Sequence, residues 1–368
     1  MRQHQTSYFN KLKKLPVTMI FIMSIICFIG FIALYSVSDS NIHPWAYKQI
    51  INFCIFLPIA IIISVIDLKI IFKFSYLFYF SIIILLLGIE LFGHISMGAK
   101  RWIDLGFIRL QPSEPAKLAI VLMLARYFHE LKSENVLKFK HIILPIFTVF
   151  IPTILIIKQP DLGTGIVTII VAATLFFVAG IRIWYFIIAG ALSIISLPII
   201  WNIMHDYQKN RVLVFLNPEK EPLGAGYNII QSKIAIGSGG LFGKGLAAGT
   251  QSHLAFLPEH QTDFIFATLA EEFGFTGGLI LLLLYSILIF ISLMIAVNCK
   301  TTFGKLVVIG VTTILFSHVF INISMVMGML PVVGVPLPFV SFGGTMMASM
   351  LLGFGLIMNA EIHKNSNV

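Results

Sequence analysis

Apolar runs of membrane-spanning length recur along this whole chain, and no other feature constrains its fold as strongly. About 20 apolar residues cross the hydrocarbon layer of a bilayer as one helix. Ten runs come close to or exceed that length, at approximately 15–36, 47–66, 74–92, 113–131, 141–157, 163–180, 184–204, 264–296, 304–329 and 344–360. In addition, 58% of the residues are hydrophobic and only 11% are charged. The sequence therefore predicts an all-α, polytopic integral membrane protein with about ten transmembrane helices.

The runs also predict how the chain is organised. The first run is too long for a removable signal peptide and lacks a small-residue cleavage site, so it is predicted to be a helix. A polar, glycine-rich segment at 205–263 separates the seventh run from the eighth and predicts a large outer loop between helices 7 and 8. Because the chain shows neither a fixed-period repeat nor a low-complexity tract, residues 1–368 are predicted to form a single membrane domain.

The positions of Lys and Arg predict the orientation of the helices, because short cytoplasmic loops carry an excess of both. With the amino terminus inside, fourteen of the 25 fall on the inner side: Arg2, Lys11, Lys13, Lys14, Lys69, Lys73, Arg126, Lys132, Lys138, Lys140, Arg182, Lys300, Lys305 and Lys364. This pattern predicts a multi-pass protein of the cytoplasmic (inner) membrane with both termini cytoplasmic. The net charge of +9 suits anionic inner lipids and an anionic outer substrate, and it requires no nucleic acid.

On this topology the acidic residues concentrate at the outer end, which predicts an external working surface. Those at or beyond the outer face are Asp104, Glu114, Asp161, Asp206, Glu219, Glu221, Glu259 and Asp263. Asp263 differs from the others because it lies where the glycine-rich loop meets the eighth apolar run. A carboxylate at a membrane face, beside a conformationally permissive loop, favours a chemical role over a purely structural one.

The outer segment 98–117 ends in a predicted helix start. Ser113 is predicted to cap this helix, and Pro115 suits its first turn. Glu114 and Lys117 are three residues apart, so they share one helix face and are predicted to form a structural ion pair.

The outer cations suit two roles that the sequence does not separate. Arg101 and Arg109 flank Trp102, and this arrangement is typical of an interfacial anchor as well as of an anion site. In the loop, the side chains of Arg211 and Lys233, each taken alone, are predicted to be solvated or to face lipid headgroups.

Two further polar patterns predict structural roles. Asp161 lies in a Pro-Asp turn before a helix that begins near Gly163, where a carboxylate caps backbone donors. His318 and Asn322 belong to a polar stripe in the ninth run and predict hydrogen bonds between helices, with a proton relay as the lesser alternative.

Nucleotide and metal sites are not predicted. Gly243 and Lys244 resemble part of a phosphate-binding loop, but the preceding glycine has the wrong spacing and residue 245 is Gly rather than Ser or Thr. Glu259, His260 and Asp263 lie close together in sequence without the ligand spacing of a zinc site, so no metal is assigned.

Six stretches of sequence, taken together, carry a resemblance to a known family. They read KRWIDLG at 100–106, QPSE at 111–114, QPDLGT at 159–164, LPE at 257–259, TDFIFA at 262–267 and GMLPVVGVPLPFVS at 328–341. In this order and on ten predicted helices, they resemble the SEDS family of peptidoglycan polymerases. Residues 334–338 and the short amino-terminal tail are more similar to its RodA-like, rod-shape elongation branch than to its division branch.

The resemblance implies an inverting glycosyltransferase that polymerises lipid II into glycan strands outside the cytoplasmic membrane. It implies a class B penicillin-binding protein and the elongation machinery as partners. Asp263 is then the catalytic residue, as general base for the attacking sugar hydroxyl. Candidate substrate-binding residues around the cavity are Arg101, Arg109, Glu114, Lys117, Arg211 and Lys233. No cofactor is assigned, and a divalent cation at the pyrophosphate stays open.

Three alternatives to this function remain at the level of sequence. A lipid II flippase would use a charged outer cavity for transport, but transporters usually carry inverted repeats and midplane polar sites. A division-type SEDS paralogue would perform the same reaction in another context. A scaffolding partner of a penicillin-binding protein would not need Asp263.

Overall fold

The computed structural model describes residues 11–92, 94–96, 99–104, 109–131, 138, 140–220, 225–250 and 260–366. Most of this described part is helical, which confirms the predicted all-α membrane fold. The helices are α1 (Val17–Val37), α2 (Trp45–Val65), α3 (Leu68–Phe92), α4 (Ser113–Glu130), α5 (Lys140–Lys158), α6 (Leu162–Val178), α7 (Ile183–Ile203), α8 (Asp206–Leu216), α9 (Ala225–Ser238), α10 (Ile265–Asn298), α11 (Thr302–Val326) and α12 (Gly344–Ile362).

Each of the ten predicted runs corresponds to one long helix, with two differences in the surrounding structure. Helix α3 begins at Leu68 rather than near residue 74, because only a short turn at Ile66 and Asp67 separates it from α2. The predicted outer loop 205–263 contains two helices, α8 and α9, and a 3-10 turn at Pro218–Lys220. The length of apolar runs did not predict these helices, because their composition is polar.

A small antiparallel sheet, which the sequence did not predict, joins α3 to α4. Its strands are β1 (His94–Ser96), β2 (Ala99–Asp104) and β3 (Arg109–Leu110), in the order β1-β2-β3. The strands of three and two residues are too short for an alternating pattern to be recognised, and the six residues of β2 (AKRWID) do not alternate between apolar and polar.

Eight of the described helices are long and apolar enough to cross a membrane. The other two helices that match predicted runs are α4 and α6. Helix α6 has 17 residues, and α4 carries Glu114, Lys117, Arg126 and Glu130. Both contact α11, and α4 also contacts α3. Most residues of α4 are buried against protein, including Glu114 and Lys117, whose charges would be unfavourable in lipid.

Helix α11 forms the centre of the bundle. It contacts α4, α6, α10 and α12, and most of its side chains are buried. Small residues allow its closest approach to α4: a Cβ atom added at Gly310 would lie 2.6 Å from a methyl carbon of Val121. Packing of this kind drives helix association in lipid, where the hydrophobic effect between helices is absent.

Helix α7 has the opposite environment. It is apolar on all sides, yet none of the residues in Ile183–Ile203 is buried within the chain. A helix of this composition is stable in such a position only when lipid or another protein covers it.

The two ends of the bundle bring together segments that the topology prediction placed on the same side. At one end, the Lys11 ammonium donates to the carbonyl of Val65 (3.0 Å), and the amide of Lys300 donates to that of Lys364 (3.1 Å). The opposite end carries the segments that form the site described below, at 101–104, 109–113, 159–163, 260–264 and 333–343.

Helix α10 is broken at Gly274, and the glycine-rich segment 239–245 fills the break. Gly274 has φ 65° and ψ −163°, which is not helical. The carbonyls of Glu271 and Glu272 accept from the amides of Lys244 and Gly245, at 3.0 Å in both cases. In return, the amides of residues 275 and 276 donate to the carbonyls of residues 240 and 241, at 2.9 and 3.1 Å. The inserted segment thus satisfies backbone groups that the break leaves without helical partners.

Glycine is required in this segment by close contact. A Cβ atom at Gly243, whose φ is 80°, would overlap the carbonyl of Glu272, and one at Gly239 would overlap that of Ala270. The Lys244 ammonium adds an ion pair to the buried Glu271 carboxylate at 2.7 Å. Close approach, rather than flexibility, therefore explains these glycines.

We predict that Gly243→Ala lowers the thermal stability of the purified protein. The left-handed backbone alone disfavours alanine by about 1–2 kcal/mol, and the overlap with Glu272 adds to this cost. Gly237→Ala is the matched control, because Gly237 lies on α9 with open space around it and alanine favours a helix. Thermal unfolding in detergent measures both variants, and equal midpoints would contradict the tight fit.

Candidate functional site

Asp263 lies in the turn immediately before α10, and its side chain is half-buried. The segment between α11 and α12 passes beside it; residues 333–343 are called the strap below. A Cβ atom added at Gly334 would lie 3.4 Å from Oδ2 of Asp263. Gly334 has φ 73°, a conformation that favours glycine, so the strap passes close to the carboxylate without a side chain at this point.

The strap is hydrogen-bonded to the turn that carries Asp263. The amide of Phe342 donates to the carbonyl of Gln261 (2.9 Å), and the Ser341 hydroxyl donates to the carbonyl of Thr262 (2.6 Å). The same hydroxyl accepts from the amide of Leu337 (2.8 Å). The turn and the strap therefore form one structural unit.

Two side chains from other helices hold the far part of the strap. Gln49 on α2 donates to the carbonyl of Ser341 (2.9 Å), and the hydroxyl of Tyr285 on α10 donates to that of Pro338. Between these contacts, the buried Phe339 adopts φ 68°. This conformation disfavours a non-glycine residue by about 1–2 kcal/mol, so the surrounding contacts must stabilise it.

Helix α11 contacts the Asp263 turn and the strap through two buried side chains. The Asn322 amide donates to the carbonyls of Asp263 (2.9 Å) and Val335 (2.7 Å). Nδ1 of His318 lies 3.2 Å from the carbonyl of Pro336. The sequence predicted hydrogen bonds between helices for this polar stripe; most of them run instead to the connections that precede α10 and α12.

The predicted Glu114–Lys117 ion pair is confirmed and lies inside the bundle. The Lys117 ammonium is 2.9 and 3.0 Å from the two carboxylate oxygens of Glu114, and 2.6 Å from Nε2 of His318. The exposed fractions of Glu114 and Lys117 are only 3% and 2%. These three contacts use all three donors of the ammonium group.

The Ser113 cap that the sequence predicted is wrong. Pro112 occupies the N-cap position of α4 without a side-chain cap, and Ser113 is the first helical residue. Its hydroxyl donates instead to Asp161 (3.1 Å), which also accepts from the Gln111 side chain (3.0 Å) and from the amide of Thr164 (3.2 Å). A buried carboxylate needs several hydrogen-bond donors, which explains why Ser113 donates to Asp161 instead of capping α4. The predicted structural role of Asp161 as the cap of α6 is confirmed.

Arg101 on β2 braces the same region. Its Nε donates to the carbonyl of Gln159 (2.8 Å), and its terminal nitrogen contacts the carbonyl of Pro160. Part of the guanidinium is therefore bound to protein, while the side chain stays half-buried. Arg109 lies on β3 with its backbone paired to that of Asp104, and its side chain is outside the described part.

The two loop cations lie on separate helices. Arg211 is half-buried on α8. Lys233 is exposed on α9 and extends over Gly328, where an added Cβ atom would lie 2.7 Å from the Lys233 ammonium. Because the neighbouring Ser232 donates to the carbonyl of Val326 (2.9 Å), Lys233 sits at the carboxyl end of α11, where a cation is favourable.

Among the described residues, no cluster of three or more His, Cys, Asp or Glu side chains could hold a metal ion. Glu259, considered with His260 and Asp263 in the sequence, lies outside them. The Gly243–Lys244 pair serves the break in α10 rather than a phosphate. The sequence had indicated none of the strap contacts, although Gly334, Pro336 and Pro338 interrupt the apolar pattern there.

This fold and site define a class: a multi-pass membrane protein with a carboxylate held between a broken helix and a strap at one end of the bundle. A family model described as "Cell cycle protein" (FTSW_RODA_SPOVE) matches residues 14–366. The chain belongs to this FtsW/RodA/SpoVE family.

Named relatives and solved structures agree with that assignment. The peptidoglycan glycosyltransferase MrdB of Escherichia coli K12 is 52% identical over 288 residues, which is 78% of this chain and 77% of the relative. Stage V sporulation protein E of Bacillus subtilis is 38% identical over 292 residues, 77% of this chain and 76% of the relative. A chain from a peptidoglycan synthase complex aligns with a TM-score of 0.83 at 28% identity, covering 96% of this chain and 99% of that one. For RodA of Thermus thermophilus the TM-score is 0.72 at 24% identity, with 96% and 98% covered, and shows a shared fold.

We predict that Glu114→Gln and Lys117→Met each destabilise the protein, because each leaves one buried charge without its partner. Losses of about 3–5 kcal/mol are typical of such a change. The double variant should lose less than the sum of the two, since it buries no unpaired charge. Thermal unfolding in detergent gives the comparison, and strictly additive losses would contradict the coupling.

Proposed function

We propose that this chain is a peptidoglycan glycosyltransferase of the elongation type, which polymerises lipid II into glycan strands. The observation that carries the proposal is the position of Asp263: a half-buried carboxylate, bordered by Gly334 and held through its main chain by Asn322. Membership of the family and the names of its members support the reaction type. The 52% identity to MrdB, against 33% to a relative named FtsW, supports elongation rather than division.

The reaction joins a sugar hydroxyl to an anomeric carbon and releases a lipid pyrophosphate, with inversion to the β linkage. Asp263 accepts the proton of the attacking hydroxyl as general base. Positive charge must balance the departing pyrophosphate, and Arg101, Arg109, Arg211 and Lys233 are the candidate cations. No resident cofactor is assigned; a requirement for a divalent ion would appear as loss of polymer with a chelator and recovery with Mg²⁺.

We also propose how the bundle is oriented in the membrane. The end of the bundle with Asp263 faces outward from the cytoplasmic membrane, and both termini face the cytoplasm, because the predicted inner segments hold the excess of Lys and Arg. The lipid-linked substrate then reaches the site from the outer leaflet.

We also propose a class B penicillin-binding protein of the elongation machinery as partner. The solved relative with the TM-score of 0.83 comes from a study of how a peptidoglycan synthase complex coordinates polymerisation and crosslinking. Coupling the two activities in one complex would supply newly made strands directly to crosslinking.

Asp263→Asn and Asp263→Ala should fold normally and form no glycan polymer from lipid II, because neither side chain can accept the hydroxyl proton. Gel analysis of polymer made by purified protein with its transpeptidase partner measures this loss. Glu219→Gln is the control, since Glu219 is an exposed carboxylate of the same predicted loop. Wild-type polymer from Asp263→Ala would refute the assignment, and it would favour the scaffolding alternative.

The flippase alternative predicts a different product. In liposomes with lipid II in one leaflet, we expect polymer from the wild-type protein and no Asp263-dependent transfer of lipid II between leaflets. Polymer is read on gels, and transfer by the accessibility of labelled lipid II to an impermeant reagent. Transfer without polymer, even with the partner present, would favour transport.

A further inference from the structure

The Glu114–Lys117 pair is buried, and a connected set of contacts leads from it to the strap and to the turn that carries Asp263. His318 and Asn322 are four residues apart, so they lie on the same face of α11, about one turn from each other. They are 1% and 0% exposed, and both reach the strap or the turn that carries Asp263.

The contacts of His318 determine which of its two ring nitrogens carries the proton. An ammonium group has no acceptor, so Nε2 of His318, 2.6 Å from the Lys117 nitrogen, must accept a hydrogen bond. The neutral ring then carries its proton on Nδ1, which donates to the carbonyl of Pro336 at 3.2 Å. Lys117, held by Glu114, therefore selects the tautomer of His318 that binds the strap.

Asn322 completes the arrangement from the next turn. Its amide nitrogen donates to Val335, beside Gly334, and to the main chain of Asp263. Two backbone segments distant in sequence are thereby held against one side chain, and a small displacement of either would shift the carboxylate relative to a bound sugar.

We propose that His318 and Asn322 are positioning residues of the transferase site, which fix the position of Asp263 relative to the strap. The Glu114–Lys117 pair acts on the site through His318. The inference rests on the proposed function, because it assigns what these residues position. It replaces direct substrate contact by Glu114 and Lys117 with a supporting role. Misplacement of reacting groups by about 1 Å can lower a rate about 100-fold, so such support affects catalysis strongly.

The test uses His318→Leu and Asn322→Ala in the full chain in nanodiscs, with the transpeptidase partner present. We expect each to lower the maximal polymerisation rate at least about tenfold, while the lipid II concentration for half-maximal rate changes less than about threefold. His318→Gln should recover most of the rate, because its amide can both accept from Lys117 and donate to Pro336. Ser317→Ala is the matched control: Ser317 is buried beside His318, and its hydroxyl has no hydrogen-bond partner in the described part of the chain.

A second measurement does not depend on activity. Hydrogen–deuterium exchange of the strap amides, including those of Leu337 and Phe342, should be faster in His318→Leu and Asn322→Ala than in the wild type or in Ser317→Ala. Asn322→Ala carries the test if His318→Leu does not fold.

A double-mutant cycle tests the route through His318. Adding His318→Leu to the Glu114→Gln/Lys117→Met variant should cause little further loss of rate, because the pair acts through the ring. If the rate losses of the two sets of substitutions multiply in the combined variant, the ion pair does not act through His318. Wild-type rates and strap exchange in His318→Leu and Asn322→Ala would overturn the inference alone, whereas full activity of Asp263→Asn would overturn the proposed function.

Discussion

The arrangement around Asp263 depends on the hydrogen bonds that the ammonium group of Lys117 makes. This group is buried inside the helical bundle, where a charge without partners is very unfavourable, and it directs its three donors to two oxygens of Glu114 and one nitrogen of His318. These contacts tie α4 to α11. Through His318 the same network continues to the strap, so the buried charges and the backbone beside Asp263 belong to one set of contacts.

The site is built where regular helices stop. The break at Gly274, the strap after α11 and the turn before α6 all leave backbone groups without helical partners. Lipid cannot satisfy such groups, and in this chain other parts of the protein do: the segment 239–245, the Ser341 hydroxyl and the Arg101 guanidinium. Irregular backbone is therefore tolerated where protein surrounds it, and this is also where a polar substrate can be bound without exposing unsatisfied groups to lipid.

Local sequence patterns predicted the features that depend on local geometry. The ten long helices follow from the length of apolar runs, the Glu114–Lys117 contact from a spacing of three on one helix, and the Asp161 cap from its turn. Ser113 was assigned wrongly because Asp161, distant in sequence, offers its hydroxyl a better partner. Helices α8 and α9 and the small sheet were missed because their patterns are short or polar. The contact of His318 with Lys117 joins residues 201 positions apart, and no local pattern encodes it.

The amino-acid sequence by itself determined that this chain is a helical membrane protein with its acids grouped toward one end, because burial in lipid selects long apolar helices and excludes unpaired charge. It also predicted that Asp263 is the exceptional carboxylate. Only the tertiary structure decided what surrounds that carboxylate: Gly334 beside it, Asn322 on its main chain, and a strap that His318 links to a buried ion pair. Those neighbours come from helices far apart in sequence, and their meeting depends on the packing of the whole bundle rather than on any segment alone.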